Sequence, residues 1–172
     1  MILQTERLYL REMEQSDYPA LCRILQDETV MYAYNGAFSD AETQAWLDRQ
    51  LDRYRKYGRF GLWAVVCRET GQMIGQCGLT MQPWKDRELL EIGYLLQKDC
   101  WHRGFATEAA IACKEYAFTV LDAEEVYSIV RDTNTPSQRV ALRNGMTAAD
   151  RWVKHYRGVD MPHILYAVRR AC

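Results

Sequence analysis

"WHRGFATEAAIACKEYAF", residues 101–118, decides how the chain is read. His102, Arg103 and Gly104 form a short cationic turn. After it Ala106, Ala110, Cys113, Ala117 and Val120 or Leu121 recur at spacings of three and four. That is the period of a helix with one buried face. A turn that opens a helix leaves a row of backbone N–H groups without intrahelical partners, and the helix dipole favours an anion there. Gly104 permits a sharp turn or a close backbone approach to a ligand, Ala106 keeps the next position narrow, and Arg103 adds positive charge. These features suit a pyrophosphate. They also suit a tight strand-to-helix connection that binds nothing. Two other phosphate signatures are absent: the P-loop Gly-x-x-x-x-Gly-Lys-Ser/Thr and the dinucleotide Gly-x-Gly-x-x-Gly.

Working outward, "ELLEIGYLL" before this stretch and "EEVYSIV" after it read as strands. "FGLWAVVC" and "MIGQCGLTM" read as a hairpin turning at Gly71. Nearer the start, "RLYLREM" alternates like a strand. "SDYPALCRILQ" opens a helix with Ser16 or Asp17 as cap and Pro19 in the first turn. "SDAETQAWLDRQLDRYRKYG" is a second helix, with capping-box spacing at Ser39 and Glu42 and Gly58 as its end. Between those helices, "DETVMYAYNGAFS" has no period and reads as a loop. "TPSQRVALRNG" reads as a short helix capped by Thr135. "RWVKHY" and "HILYAVRR" are closing strands joined through "RGVDMP". The order β-α-α-β-β-β-α-β-α-β-β gives a mixed α/β (α+β) domain with an antiparallel front half.

The chain has 172 residues, which predicts one domain, 1–172. Its formal net charge is -1 and no run of basic residues reaches five, so no nucleic-acid partner is expected. No apolar stretch approaches the roughly 18 residues that span a bilayer, and the N-terminus lacks a signal-peptide pattern. A cytoplasmic protein without a membrane partner is expected. The six cysteines include no Cys-x-x-Cys pair and the three histidines are scattered, so no metal site is expected. The cysteines read as small core residues.

Taken together, these stretches resemble the GNAT acetyltransferase superfamily, and within it the ribosomal-protein N-terminal acetyltransferase-like (Rim-type) branch. "TERLYLREMEQSD" is similar to that branch's opening strand and helix, and "FGLWAVVCRETGQMIGQCGLT" to its central hairpin. "LEIGYLLQKDCWHRGFATEA" is similar to its acetyl-CoA motif, and "NTPSQRVALRNGM" to its asparagine-led helix. The likeness runs in order along nearly the whole chain. It implies the GNAT fold: a mostly antiparallel twisted sheet with splayed strands at the acetyl-CoA site and flanking helices. It also implies transfer of an acetyl group from acetyl-CoA to a primary amine by direct attack in a ternary complex, by a monomer or homodimer. The leading acceptor is a protein N-terminal α-amine. Alternatives are a small-molecule amine (polyamine, metabolite or drug), or a module that binds acetyl-CoA without turnover.

The resemblance also implies site residues. Backbone groups of Tyr94, Leu95 and Leu96 would bond the pantetheine arm. Amides from His102, Arg103, Gly104, Phe105, Ala106 and Thr107 would hold the pyrophosphate, with more of the load because Trp101 stands where many members have Gln or Arg. Asn134 would bond the pantetheine or a nearby water, though "DTNTP" also suits an ordinary turn and cap. Many members carry a proton-donating tyrosine seven residues after that asparagine; here the position is Ala141, so Ser137 is the candidate donor to the leaving thiolate. Glu91 is the candidate base, acting through water because it lies roughly 10 Å along the strand from Tyr94; its plain alternative is a surface carboxylate. Glu108 reads as a helix-start acid favoured by the dipole. Tyr32, Tyr34, Phe38 and Trp84 are expected in loops that could wall the acceptor groove. An α-amine with pKa near 7.8 is roughly 14% free base at pH 7, against about 0.04% for a lysine, which suits a site with only a remote base.

Overall fold

In the computed structural model, which describes residues 1–171, the run Leu62–Cys67 is buried at every position. An unbroken apolar strand of this kind belongs in the middle of a sheet covered on both faces. The elements are β1 Leu3–Gln4, β2 Leu8–Arg11, α1 Tyr18–Leu25, α2 Asp40–Tyr57, β3 Leu62–Cys67, β4 Met73–Trp84, β5 Arg87–Leu96, α3 Phe105–Thr119, β6 Glu125–Arg131, α4 Thr135–Arg143, β7 Thr147–Tyr156 and β8 Val159–Arg169. The strands form one sheet in the order β1-β2-β3-β4-β5-β6-β8-β7. Every neighbouring pair is antiparallel except β5 and β6, which run parallel.

Successive β4 residues show which helix covers which face. Gln76 accepts a hydrogen bond from Trp46 Nε1 of α2 at 2.9 Å, while the Cys77 Sγ lies 3.6 Å from Cys113 Sγ of α3. Neighbouring residues of a strand point to opposite faces, so α2 and α3 sandwich the sheet. The capping box of α2 is formed by Ser39 and Glu42, and Gly58 ends the helix at φ +66°. Tyr54 of α2 donates its hydroxyl to Leu62 O and accepts from Met13 N at 3.2 Å, tying the helix to the sheet and to the segment before α1.

Several local expectations are revised. The first strand, expected over residues 7–13, is β2 and stops at Arg11; an additional short strand, β1, precedes it across a turn at Thr5–Arg7, where Leu8 N bonds Thr5 Oγ1 at 3.0 Å. The stretch between α1 and α2 contains a 3₁₀ turn over Val30–Tyr34, closed by Asn35 at φ +58°. Asn134, not Thr135, caps α4: its side chain accepts from Ser137 N at 3.3 Å. The β7–β8 connection is a two-residue turn at Arg157–Gly158, both at positive φ, and "VDMP" already pairs in β8. Cys67, Cys77, Cys100 and Cys113 are buried thiols and Cys22 is half-buried; Cys172 lies outside the described residues. No helix among the described residues is long and apolar enough to cross a membrane.

Gly78 of β4 backs directly onto the chain entering β3. A Cβ there would meet Gly61 O at 1.9 Å, a backbone atom that cannot swing aside. Gly78→Ala should therefore cost about 2–3 kcal/mol or more by overpacking, read as a lower urea midpoint with an unchanged slope. A midpoint equal to wild type would mean that the two strands separate without cost.

Candidate active site

β4 and β5 stay paired from Gly75–Leu96 to Trp84–Arg87. β5 and β6 pair only at Glu91–Tyr127 and diverge beyond it. Ser128 Oγ bridges the start of the gap by donating to Ile92 O at 3.0 Å, and Trp101 Nε1 closes its far end by donating to Leu96 O at 3.1 Å. Even-numbered residues of β5 thus aim their backbone groups into the cleft, and odd-numbered ones face β4. Tyr94 keeps both its N–H and C=O on the open edge, and Leu96 keeps its N–H. Leu95 does not: its carbonyl sits beside Gly75 of β4, where it is 2.6 Å from an ideal Cβ built on that glycine. Leu95 offers the cleft a side chain, a correction to its expected backbone role. Trp101, far from a mere loss of a polar contact, holds the splayed strand in place.

The turn before α3 has the shape the sequence suggests. His102 and Gly104 take positive φ (+59° and +78°), and the first backward bond of the helix runs from Glu108 N to Gly104 O at 3.0 Å. The amides of Phe105, Ala106 and Thr107 precede that bond and face the helix's open end. The guanidinium groups of Arg7 and Arg103 lie over the Phe105 ring, 4.5 and 4.8 Å from its centroid. Arg7 also pairs with Glu108 at 2.7 Å and donates to Arg103 O at 2.9 Å. The Glu108 carboxylate further accepts from Thr5 Oγ1 at 2.6 Å and Arg7 N at 2.9 Å. Burial pushes its pKa up, but these bonds outweigh burial and hold it below the ordinary value. Glu108 is thus a tie between the β1–β2 turn and α3, more than an acid placed for the dipole. Nothing in the local pattern of residues 5–7 marks that partnership; the elements lie about a hundred residues apart.

A cavity of about 420 Å³ opens on the α2 face of the cleft. Glu91 lines it, joined by Gly93, Tyr94, Asn134 and Ser137. Glu91 is enclosed by protein on the sides away from the cavity, and its Oε1 accepts from Ile129 N at 3.3 Å. Burial raises its pKa to about 7, against the pull of Lys154, the Ile129 N–H and Arg53. The surface-carboxylate alternative is therefore set aside. Tyr94 and Ser137 form a hydroxyl pair: Ser137 Oγ donates to Tyr94 Oη at 2.9 Å, and Tyr94 Oη donates to Ser137 O at 2.8 Å. Ala141 is buried and faces the core. The phenol that the sequence lacks on α4 arrives from β5 instead. Asn134 spends Oδ1 on its helix cap, leaving Nδ2 to donate into the cavity.

Other residues reach the site without a sequence signal. Trp46 and Tyr34 wall the cavity with rings 6.3 Å apart, and Tyr34 meets Tyr156 of β7 at 6.1 Å. Periodicity alone assigns Trp46 to a helix and cannot say which face it uses. His163 of β8 also lines the cavity; burial lowers its pKa, and its Nδ1 bonds Met161 O at 2.8 Å. A carbonyl can only accept, so Nδ1 carries the proton and Nε2 is left as an acceptor. Of the four aromatics expected to wall the groove, Tyr34 does so. Tyr32 donates outside the cavity to Thr133 O, Phe38 is buried against Trp46, and Trp84 ends β4, fully buried and bonded to Asp150 at 2.9 Å. Cys100 is buried, which pushes its thiol pKa up. No cluster of three or more His, Cys, Asp or Glu among the described residues could hold a metal ion.

Glu91 should leave a signature in stability. A carboxyl whose folded pKa is about 7 instead of 4.5 binds its proton more tightly in the native state. Its contribution is complete below about pH 4.5 and is lost as pH rises through 7. Glu91→Gln should thus gain stability relative to wild type between pH 5 and pH 8, measured as the difference in urea midpoints. A pH-independent difference would mean that the cavity solvates the carboxylate as well as water does.

Residues 7–147 match the family model described as an acetyltransferase (GNAT) domain. The protein YkkB of Bacillus subtilis (strain 168) is 34% identical over 145 residues, covering 84% of each chain. The uncharacterised N-acetyltransferase p20 of Bacillus licheniformis is 33% identical over 146 residues, 84% of this chain and 80% of its own. Among solved structures, a GNAT-family acetyltransferase from Bacillus anthracis superimposes with a TM-score of 0.83 at 22% identity over 98% of both chains. RimL, a ribosomal L7/L12 α-N-protein acetyltransferase solved with coenzyme A, gives 0.79 at 19% identity over 98% of this chain and 97% of its own. The chain thus belongs to the GNAT family as an acetyl-CoA-dependent N-acetyltransferase.

Proposed function

We propose that the protein acetylates a protein N-terminal α-amine in the cytoplasm, by direct attack of the amine on acetyl-CoA within a ternary complex. One observation carries the reading. A carboxyl with pKa about 7 shares a single cavity with the open edge of β5 and with the Tyr94–Ser137 hydroxyl pair. A base with that pKa is half ionised near neutrality, where an α-amine also holds a useful free-base fraction. The likeness to RimL supports the same acceptor class.

The geometry supports the following roles. Amides of His102–Thr107 and the Arg7 and Arg103 guanidinium groups receive the pyrophosphate. The open edge of β5 at Tyr94 and the Leu96 N–H receive the pantetheine arm, with Asn134 Nδ2 beside it. The Tyr94 N–H is the candidate oxyanion donor; one such donor is worth roughly 3–4 kcal/mol in rate. Glu91 takes the amine proton through water. The thiolate receives its proton from Ser137, whose hydroxyl is held in place by Tyr94 Oη. No acyl-enzyme is involved, since the buried thiols pair with no base.

A thiol-release assay across N-terminal peptides, polyamines and aminoglycosides tests the acceptor. Turnover of peptides is expected. Turnover of small amines alone would give the site to a metabolite or drug, and turnover of none would make the domain a binding module. Gly104→Val puts a branched side chain at φ +78°, with Arg7 Nη2 only 3.4 Å from its Cβ, and should weaken acetyl-CoA at least tenfold by calorimetry. At pH 7 Glu91→Gln should lower kcat roughly 10²-fold, with the loss shrinking as pH rises. Ser137→Ala and Tyr94→Phe should each cost less, because a thiolate is already a fair leaving group. Their double variant should cost little more than the worse single, the mark of two groups acting as one. Fully additive losses would separate the pair.

A further inference from the structure

The cavity is far more basic than the chain around it. The protein carries a formal net charge of -1, yet Arg49, Arg53, Arg131 and Lys154 all line this one space, and Glu91 is its only carboxylate. None of the four cations forms an ion pair among the described residues; the ion pairs that do form use other cations. Arg49 and Arg53 stand one turn apart on α2, on one helix face. Lys154 reaches across from β7, and Arg131 ends β6. Grouping unpaired cations costs electrostatic energy, and burial together with Arg49 lowers the Arg53 pKa.

Two neutral observations point the same way. Gln76 is 1% exposed and its Nε2 has no partner. Its orientation is fixed, because Trp46 Nε1 can only donate and therefore claims Oε1. Arg131 Nε is likewise buried without a partner, although Nη1 donates to Tyr32 O at 2.9 Å. The walls thus present surplus donors, and buried donors of this kind call for acceptor oxygens from an occupant. Gln50 Oε1 already accepts from Arg53 Nη1 at 2.9 Å, while Glu91 and His163 Nε2 are wall acceptors suited to an amine.

We propose that the acceptor brings its own negative charge: an N-terminal peptide with Asp or Glu within about its first three residues, whose carboxylate sits among Arg49, Arg53 and Lys154 while the α-amine addresses Glu91. The inference rests on the N-terminal reading above. It adds a selection rule that the fold does not impose: polyamines and basic N-termini are rejected by like charge. The same field favours the neutral form of the incoming amine, which is the nucleophile.

The test uses the full chain with serine-started hexapeptides carrying acidic, amide or lysine side chains at positions two and three, together with free glutamate, phosphoethanolamine and spermidine. The acidic peptide should exceed the amide peptide in kcat/KM by about tenfold and the lysine peptide by a hundredfold or more, with the gap narrowing at high salt. Arg49→Glu, on the exposed rim, should cut the acidic preference at least tenfold while leaving the lysine peptide equal or better. Calorimetry of the same peptides on the protein–CoA complex should give the same order even where turnover is slow. Equal or better use of the lysine peptide, or of spermidine, would overturn the charge rule and leave the N-terminal reading standing if peptides turn over. Acetylation of glutamate or phosphoethanolamine with no peptide turned over would do the reverse.

Discussion

The whole site depends on two central strands that stop pairing. Past Glu91 and Tyr127, β5 and β6 leave backbone donors and acceptors facing a gap in the middle of an eight-stranded sheet. Unpaired backbone groups inside a protein are costly, so the surrounding chain must hold the gap open and satisfy what it can. Ser128 and Trp101 do this at its two ends. What they leave open is the unpaired edge at Tyr94 and the Leu96 N–H. The parallel β5–β6 contact also accounts for α3, since a parallel crossover needs a connecting helix between its strands.

The second dependence is longer in range. The open start of α3 is held by a carboxylate, Glu108, whose partners come from the β1–β2 turn. Arg7 does two things there. It neutralises Glu108, and it lays its guanidinium on Phe105 beside that of Arg103. The edge of the sheet farthest along the order from β6 thus helps to hold the start of α3. A charged tie of this kind, partly shielded from water, is stronger than an exposed surface pair.

The third feature is the division of labour across the sheet. On the α2 face the odd residues of β5 present Glu91 and Gly93 to the cavity. On the other side Tyr94 turns toward α4 and meets Ser137. Gly93 keeps the floor open: a Cβ there would lie 3.6 Å from Leu62 and 4.0 Å from the Glu91 carboxylate. Glu91 and Tyr94 therefore come from one strand, separated by the pleat, and both line the same space.

Much of this was legible in residues 101–118. The period of three and four and the glycine before it specify a buried-face helix with an open start, because both are local properties of the backbone. The capping box at Ser39 and Glu42, the turn at Gly71 and the strand of Glu91 are local in the same sense, and the order of motifs along the chain carries the family. Sequence alone could not choose between cap and ligand contact for Asn134, or between base and surface acid for Glu91, because burial is set by what other segments place around a residue. The backbone facing of Leu95 depends on strand register. Arg7, Trp46, Lys154 and His163 enter the site from four separate elements, and no local spacing records those meetings. Local pattern was enough for most of the elements, the fold family and the turn that opens α3. Only the tertiary structure decided the charge of the cavity, the pKa of its carboxyl and the source of its phenol, because each is a property of side chains brought together from distant parts of the chain.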